Sequence, residues 1–492
     1  MPTKGTTESG AVTNEGSDLS VPRTGVLVRA DNGDVITFDE TGLTLRLSDA
    51  VIGDIRGRLG DALASDHDLI EVLGDIDAWN VRTTSDWYRF TAALERSTPS
   101  RDYQRRIDGG DIIAAAPGPL YGLFSIGGAR RAGFNEAPPE FSFHVVSPGD
   151  HIGAVGLEGT DTAQPTDRLQ RIPHATRDTL IADTLLRWRR VDLRALPLFF
   201  ARAETDGTAS IGALTEGPGY RNFLTAVDNL ILAAQSLGKR PHVLAVGIDY
   251  SLEDVLSTAD EIVSGIRELM QRIERDFNRR GLRKPFFIAT FESGTPLRGD
   301  QHHIRAHWEL AWQHGQHDLA FSAPGYMFEQ SHFGRPTEAA RIRMAEMDAH
   351  AIVALSERKE WLCPLFLLAE YEGAKIRVTA RALGDLVIDP ADPFGAGPSC
   401  GFSIAGVEQA TSVIGVQVAD NDPQSLILTC DRPLSGPAPE LRYAFGAAPS
   451  SDAYSANRGR IRDDWSSPSL TGPLLHRWAN PAAIPIHPGE NL

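Results

Sequence analysis

Two stretches of this 492-residue chain carry residues able to move protons or hold a reacting group. In Glu329-Gln330-Ser331-His332 a carboxylate stands three residues before an imidazole. A histidine held beside a carboxylate can take a proton from a nucleophile or hydrogen-bond a ligand hydroxyl. In Leu120-Tyr121-Gly122-Leu123-Phe124-Ser125-Ile126-Gly127-Gly128-Ala129-Arg130-Arg131-Ala132-Gly133 an apolar strand pattern runs into a glycine-rich turn. α/β enzymes use such a turn to lift a nucleophile to the carboxyl edge of a sheet. Here the turn carries Ala129 where a hydroxyl would be needed. Ser125, the nearest hydroxyl, lies four residues earlier inside the apolar run and is expected to point into the sheet packing. Ser210 and Ser331 lie closer to the expected pocket, yet neither occupies a strained strand-to-helix turn that would activate it.

To bring these residues together the chain needs a sheet with its strand ends aligned. From about Asp111 to Arg358 strands alternate with helices, which predicts a parallel sheet wrapped by helices, an α/β domain over 111–360. Strands are expected at Tyr121–Ile126, Leu196–Ala203, His242–Gly247, Pro285–Thr290 and Leu319–Ser322. Helices are expected at Arg221–Leu237, Ser251–Arg280, His302–His314 and Arg335–Leu355. Apolar spacing at Ile262, Ile266, Leu269 and Ile273 marks a core-facing helix stripe. Before this lies a small α+β unit, 23–110, with strand patterns at Gly25–Arg29 and Val35–Phe38 and helical patterns at Leu47–Ala64 and Ser85–Ser97. It reads as an attachment or cap unit. Beyond Glu360 the sequence turns β-rich, with runs at Lys375–Ala380, Val413–Val418, Leu426–Cys430 and Leu441–Phe445, and predicts a C-terminal β-sandwich module over 361–492. Asn457 to Trp465 and the proline-rich end read as an extended strap.

At the α/β unit the chain resembles the SGNH (GDSL-like) hydrolases, particularly the carbohydrate O-acetylesterase branch, whose fold is a flavodoxin-like parallel sheet. On that family's nucleophile motif, Gly-Gln-Ser-Asn-Ala-x-Gly, Gly127 and Gly133 fit, Gly128 takes the glutamine position and Ala129 the serine position. The second block, a glycine whose N–H helps form the oxyanion hole, resembles Ala203 to Ile211 with Gly207 and Thr208 in place. In the third block the glycine remains as Gly247 while the polar oxyanion-hole side chain is replaced by Ile248, which can neither donate nor accept a hydrogen bond. The last block resembles Glu329 and His332, the acid and the base, followed by Phe333 and a helix. Tyr250 and Phe333 adjoin the altered blocks and are the better candidates for sugar stacking among Tyr121, Tyr220, Tyr250, Tyr326, Phe328 and Phe333.

Composition narrows the partners. A formal net charge of −17 repels phosphate backbones, so nucleic acid is not expected. No apolar run is long enough to span a bilayer, and residues 1–22 read as a disordered leader without the apolar core of a signal peptide. The three cysteines, Cys363, Cys400 and Cys430, lack metal-ligand spacing and read as free thiols of a reducing cytosol. The histidines His302, His303, His307, His314 and His317 read as solvated or partner-facing, so neither a metal nor a cofactor is expected.

The resemblance implies a catalytically silent SGNH-like protein that binds carbohydrate, because Ala129 and Ile248 remove two parts of the machinery while Gly207 and His332 remain. The arrangement of leader, adaptor, body and β module looks like the spike or fibre proteins of phages and gene-transfer particles. Its partners would be a bacterial surface (capsular) polysaccharide and other particle proteins. Such a protein would be an oligomer, made in the cytoplasm and released by lysis. The alternatives are an active polysaccharide O-acetylesterase with a displaced nucleophile, and a purely structural assembly protein whose pocket is filled by side chains.

Overall fold

The computed structural model describes residues 25–29, 35–39, 42–46, 73–74, 76–84, 86–94, 100–157, 162–207, 209–250, 256–331 and 334–489. The leader, the helical pattern Leu47–Ala64 and three site candidates, Thr208, His332 and Phe333, lie outside them. The chain divides into two compact units, Met1–Gly74 and Asp75–Leu492. In the first, β1 (Gly25–Arg29), β2 (Val35–Asp39) and β3 (Gly42–Arg46) form an antiparallel meander.

The second unit opens with an antiparallel sheet of β4 (Ala78–Thr84), β5 (Trp87–Ala92), β6 (Arg101–Arg106) and β7 (Ile113–Ala114). The helix expected over Ser85–Ser97 is therefore a strand. Trp87, Tyr88, Phe90 and Ala92 are buried while Arg89 is exposed, and the segment pairs with neighbours on both sides. Its aromatic content suits a half-buried pleated surface better than a helix stripe. Trp87 fixes this sheet to the body, its Nε1–H donating to the Ser236 carbonyl at 3.1 Å.

The body is a doubly wound sheet. Its strands are β8 (Leu120–Gly127), β9 (Phe134–Asn135, outside the main sheet), β10 (Val145–Pro148), β11 (Val155–Leu157), β12 (Leu169–Arg171), β13 (Ala175–Thr176, paired with β9), β14 (Leu198–Thr205), β15 (Pro241–Asp249), β16 (Phe286–Phe291) and β17 (Leu319–Pro324). The order is β12-β10-β14-β8-β15-β16-β17, parallel from β10 to β17, with β11 also lying along β14 and β12 antiparallel at the edge. The chain order of the five long strands is thus 2-1-3-4-5, the flavodoxin-like winding, which reverses direction beside β8. Consecutive side chains of β14 go to opposite faces: Leu198 and Phe200 join one buried cluster, Phe199 and Ala201 the other.

Helices α1 (Arg177–Val191) and α6 (Glu338–Ser356) pack together on one face. On the other lie α2 (Ile211–Glu216), α3 (Pro218–Ser236), α4 (Ala259–Arg279) and α5 (Gln301–Trp312). The α4 helix starts at Ala259 and not at the expected Ser251, because Thr258 and Glu261 form a reciprocal capping box that sets the first turn. Helix α1 has no counterpart among the expected helices. Its Thr176 cap and buried Ile181, Ala182, Leu185 and Leu186 are legible, yet arginines crowd its outer face.

The remaining strands are β18 (Leu365–Glu372), β19 (Lys375–Arg381), β20 (Leu386–Ile388), β21 (Phe402–Ala405), β22 (Val413–Ala419), β23 (Asp422–Cys430), β24 (Glu440–Tyr443), β25 (Ile461–Ser467), β26 (Leu475–Trp478) and β27 (Ala482–Pro488). They form a seven-stranded sheet, β21-β24-β27-β18-β19-β23-β22, and a three-stranded sheet, β20-β25-β26. The expected strap is in part β25, paired on both sides. Both sheets share one buried cluster with α1, α6 and one face of the parallel sheet. Polar ties cross the same boundary: Trp308 Nε1–H donates to the Phe366 carbonyl at 2.9 Å, and Tyr326 Oη–H to the Ala479 carbonyl at 2.7 Å.

Candidate functional site at the carboxyl edge

The winding brings the first three candidate blocks to adjacent strand ends. Gly127 and Gly128 close β8, Gly207 follows β14 and Gly247 lies two residues before the end of β15. Asp206 N–H donates to the Gly127 carbonyl at 2.9 Å, so the second block sits against the first. Gly128 N–H donates to the Asp249 carbonyl at 3.0 Å, which commits that backbone donor inside the fold. Ala129 begins a short 3-10 turn, Ala129–Ala132, whose Arg131 is 2 % exposed.

That arginine fills the site. The glycine at 247 makes room for it, since a Cβ there would stand 1.8 Å from Arg131 Nη2. Arg131 Nε lies 3.2 Å from Asp249 Oδ2 and Nη1 3.7 Å from Asp178 Oδ1. Ser125 Oγ–H donates to Asp178 Oδ2 at 2.7 Å, so this hydroxyl joins the charged cluster and not the apolar packing. Arg177, at the first position of α1, clamps Asp348 of α6 with two 2.7 Å bonds and reaches Asp249 with a third at 2.7 Å. Thr290 N–H donates to the other Asp249 oxygen at 2.9 Å. Burial alone would raise the Asp249 carboxyl, but the Arg177 and Arg131 guanidiniums outweigh it and hold the group down to about 2. Asp178 is pushed the other way, upward, by burial.

Beside this cluster is a crevice of about 30 Å³, lined by Arg130, Arg177, Asp249, Tyr250, Thr290, Glu292, His307, Phe328, Gln330 and Arg341 among others. A volume of about 30 Å³ holds one or two waters and no sugar ring. Its cations are already engaged. Arg130 pairs with Glu292 at 2.8 Å, Arg177 with two aspartates, and Arg341 with Asn135 Oδ1, the Pro336 carbonyl and the Phe134 carbonyl.

The expected base, His332, lies outside the described residues, and the imidazole lining the crevice among them is His307. Glu292 N–H donates to its Nδ1 at 3.0 Å, so the neutral ring carries its hydrogen on Nε2 and presents no free base toward the crevice. Burial lowers this imidazole to about 4, and nearby His303 pushes it the same way. His303 and His307 are 1 % and 5 % exposed, which corrects their reading as solvated or partner-facing. The α5 face that carries them packs inward against Phe291 and Phe321. Among the described residues no group of acids, histidines and cysteines is arranged to hold a metal.

The other candidates fall outside the cluster. Ile248 points to the opposite face, into the apolar core. Tyr250 lines the crevice and is buried. Glu329 is exposed and accepts a hydrogen bond from Tyr454 Oη at 3.0 Å, away from the crevice. Tyr121 sits at the amino end of its strand, stacked on Phe199, far from the edge it was expected to rim. Tyr220 and Tyr326 are core residues bonded to Asp276 and to the Ala479 carbonyl.

No family model matches the chain, and no curated protein matches it. Among solved structures it is similar to a carbohydrate acetylesterase from Xanthomonas citri. The TM-score is 0.48 and the identity 12%, over 79% of this chain and 85% of that one. No helix among the described residues is long and apolar enough to cross a membrane.

Arg131, Arg177, Asp178, Asp249 and Asp348 are the residues that sequence reasoning passed over. The signal available was an arginine two residues past Ala129, with an Arg-Asp pair directly after the helix-capping Thr176.

Proposed function

We propose that the α/β body is a catalytically silent hydrolase-like scaffold, and that the protein binds carbohydrate without cleaving its esters. The observation that carries the silent half is the Arg131 guanidinium, seated over Gly247 and ion-paired to Asp249 and Asp178 where the nucleophile and its substrate would need space. Three further features support it. Ala129 has no hydroxyl, Gly128 N–H is bonded within the fold, and the His307 tautomer is wrong for a base. The ligand class is the one the block resemblance implies, and a filled carboxyl edge favours a binding surface elsewhere on the body.

The test is hydrolysis of a chromogenic acetyl ester and release of acetate from acetylated polysaccharide, by wild type and by Ala129→Ser. Neither is expected to exceed the buffer rate, because restoring the hydroxyl leaves Arg131 in the space a substrate would need. Turnover by wild type that disappears on substitution of Glu329 or His332 would overturn the proposal in favour of an esterase.

A further inference from the structure

One cavity lies away from the carboxyl edge. It occupies about 480 Å³ between the outer side of α1 and the segment from Asn135 to His144, a size that suits a small ligand. Through Pro138, Ser142 and Phe143 it continues into a second concavity of about 390 Å³ beside Arg171. The wall segment is held in place by Asp183, whose carboxylate accepts the Glu140 and Phe141 backbone N–H groups at 2.7 and 3.0 Å.

Apolar and polar groups alternate around this groove. Phe141, Phe143, Leu180 and Ile342 give it flat apolar walls. Arg187 and Arg190 are both shared with Glu140, at 2.6 and 2.8 Å. Arg101 also lines the cavity and has no ion pair among the described residues. His144 is 8 % exposed, and its Nδ1 lies 3.2 Å from the Pro197 carbonyl. A carbonyl can only accept, so Nδ1 carries the hydrogen and Nε2 a lone pair. That Nε2 is buried with no partner among the described residues. Burial lowers the imidazole to about 4, and it stays neutral at pH 7.

A guanidinium and an acceptor, each without a partner among the described residues, call for a ligand with an anionic group, a hydroxyl donor and an apolar face. A chain of net charge −17 repels anions overall, so a cavity lined by Arg101, Arg187 and Arg190 is a local exception. We infer that this groove binds a carboxylated sugar, a uronic-acid unit of an acidic polysaccharide. Its carboxylate sits on Arg101, a ring hydroxyl donates to His144 Nε2, and its ring face lies on the partly exposed Phe143. The second concavity, with Arg171 over the Phe143 ring at 5.2 Å, takes the next unit of the chain. This inference rests on the carbohydrate reading above and names the sugar class and the place.

The test is calorimetric titration of the full chain with oligouronates, with neutral cello-oligosaccharides of equal length and with inorganic phosphate. Variants are Arg101→Gln, Ile342→Trp, which fills the cavity while keeping its charges, and Ala129→Ser as a control. Oligouronate is expected to bind, and Arg101→Gln to weaken it by about tenfold or more, the worth of one charge-assisted hydrogen bond. Ile342→Trp should also weaken it, and Ala129→Ser should not change it. Neutral oligosaccharides binding as well as uronates would overturn the acidic-sugar inference and leave the carbohydrate reading standing. Phosphate displacing uronate at equal concentration would mean a simple anion site. Binding of no saccharide at all would fail both.

Discussion

Arg131 and Gly247 are a matched pair: the side chain of one occupies the volume that any side chain on the other would need. A Cβ at Gly247 would also come within 3.1 Å of Ser125 Cβ. The turn after β8 therefore contributes an arginine to the interior at the point where the sheet's winding reverses.

Glycine replacements here should separate by what they strike. At Gly127 a Cβ would stand 2.2 Å from the Asp249 carbonyl oxygen, which is backbone, whereas at Gly247 it meets the end of the Arg131 side chain. Gly127→Ala is expected to cost about 1–3 kcal/mol through strand displacement. Gly247→Ala should cost more, because moving Arg131 leaves Asp178 and Asp249 short of a buried cation. Urea unfolding of the two variants checks the order, and equal midpoints would contradict it.

Breaking the Arg177 clamp tests the same cluster from the helix side. Arg177→Met strands Asp348, which is fully buried, and removes the closest cation from Asp249. The expected loss is about 3–5 kcal/mol in denaturant unfolding. Arg177→Met with Asp348→Leu should recover part of it, since an uncompensated buried charge costs more than a missing pair.

Acid stability should depend on His307. Its folded value of about 4 lies below the ordinary 6.5, so between those two values the unfolded chain binds the extra proton. Stability from this group is complete above pH 6.5 and is lost as pH falls toward 4, to a total of about 3 kcal/mol. His307→Asn keeps an acceptor for Glu292 N–H and cannot titrate in this range. Its melting temperature should be lower than wild type at pH 7 and fall less steeply from pH 6.5 to pH 4. Part of the slope will remain, because burial lowers His144 and His350 to about 4 as well.

The shared core makes a prediction about boundaries. Trp361, Phe366, Tyr443 and Ile461 belong to the same buried cluster as Leu123, Phe199 and Ile352. A chain ending at Glu360 would expose that face of the parallel sheet and of α6. It is expected to show no cooperative thermal transition by circular dichroism.

The parallel strands were legible because each is an apolar run bounded by glycine, proline or charge. The strand expected at Leu319–Ser322 spans Leu319–Pro324, and the one expected at His242–Gly247 spans Pro241–Asp249. Segment Trp87–Ala92 misled because six residues of mixed pattern fit either period, and pairing on both sides decided it. The carboxyl-edge cluster was not legible. Arg131, Asp178, Asp249 and Asp348 come from four separate elements, and charged residues read as surface until a fold buries them against one another. His303 and His307 failed for the same reason.

The final strand, β27, runs parallel to β18 and antiparallel to β24, between the two. During synthesis the seven-stranded sheet must wait as two open halves until residue 488 leaves the ribosome, with β18 and β24 each offering an unpaired edge. Since that sheet also covers α1 and α6, the nascent body spends the whole translation of its last 120 or so residues with its largest apolar face uncovered. A chaperone over that interval would shield the exposed face, which the stability of the finished fold cannot do.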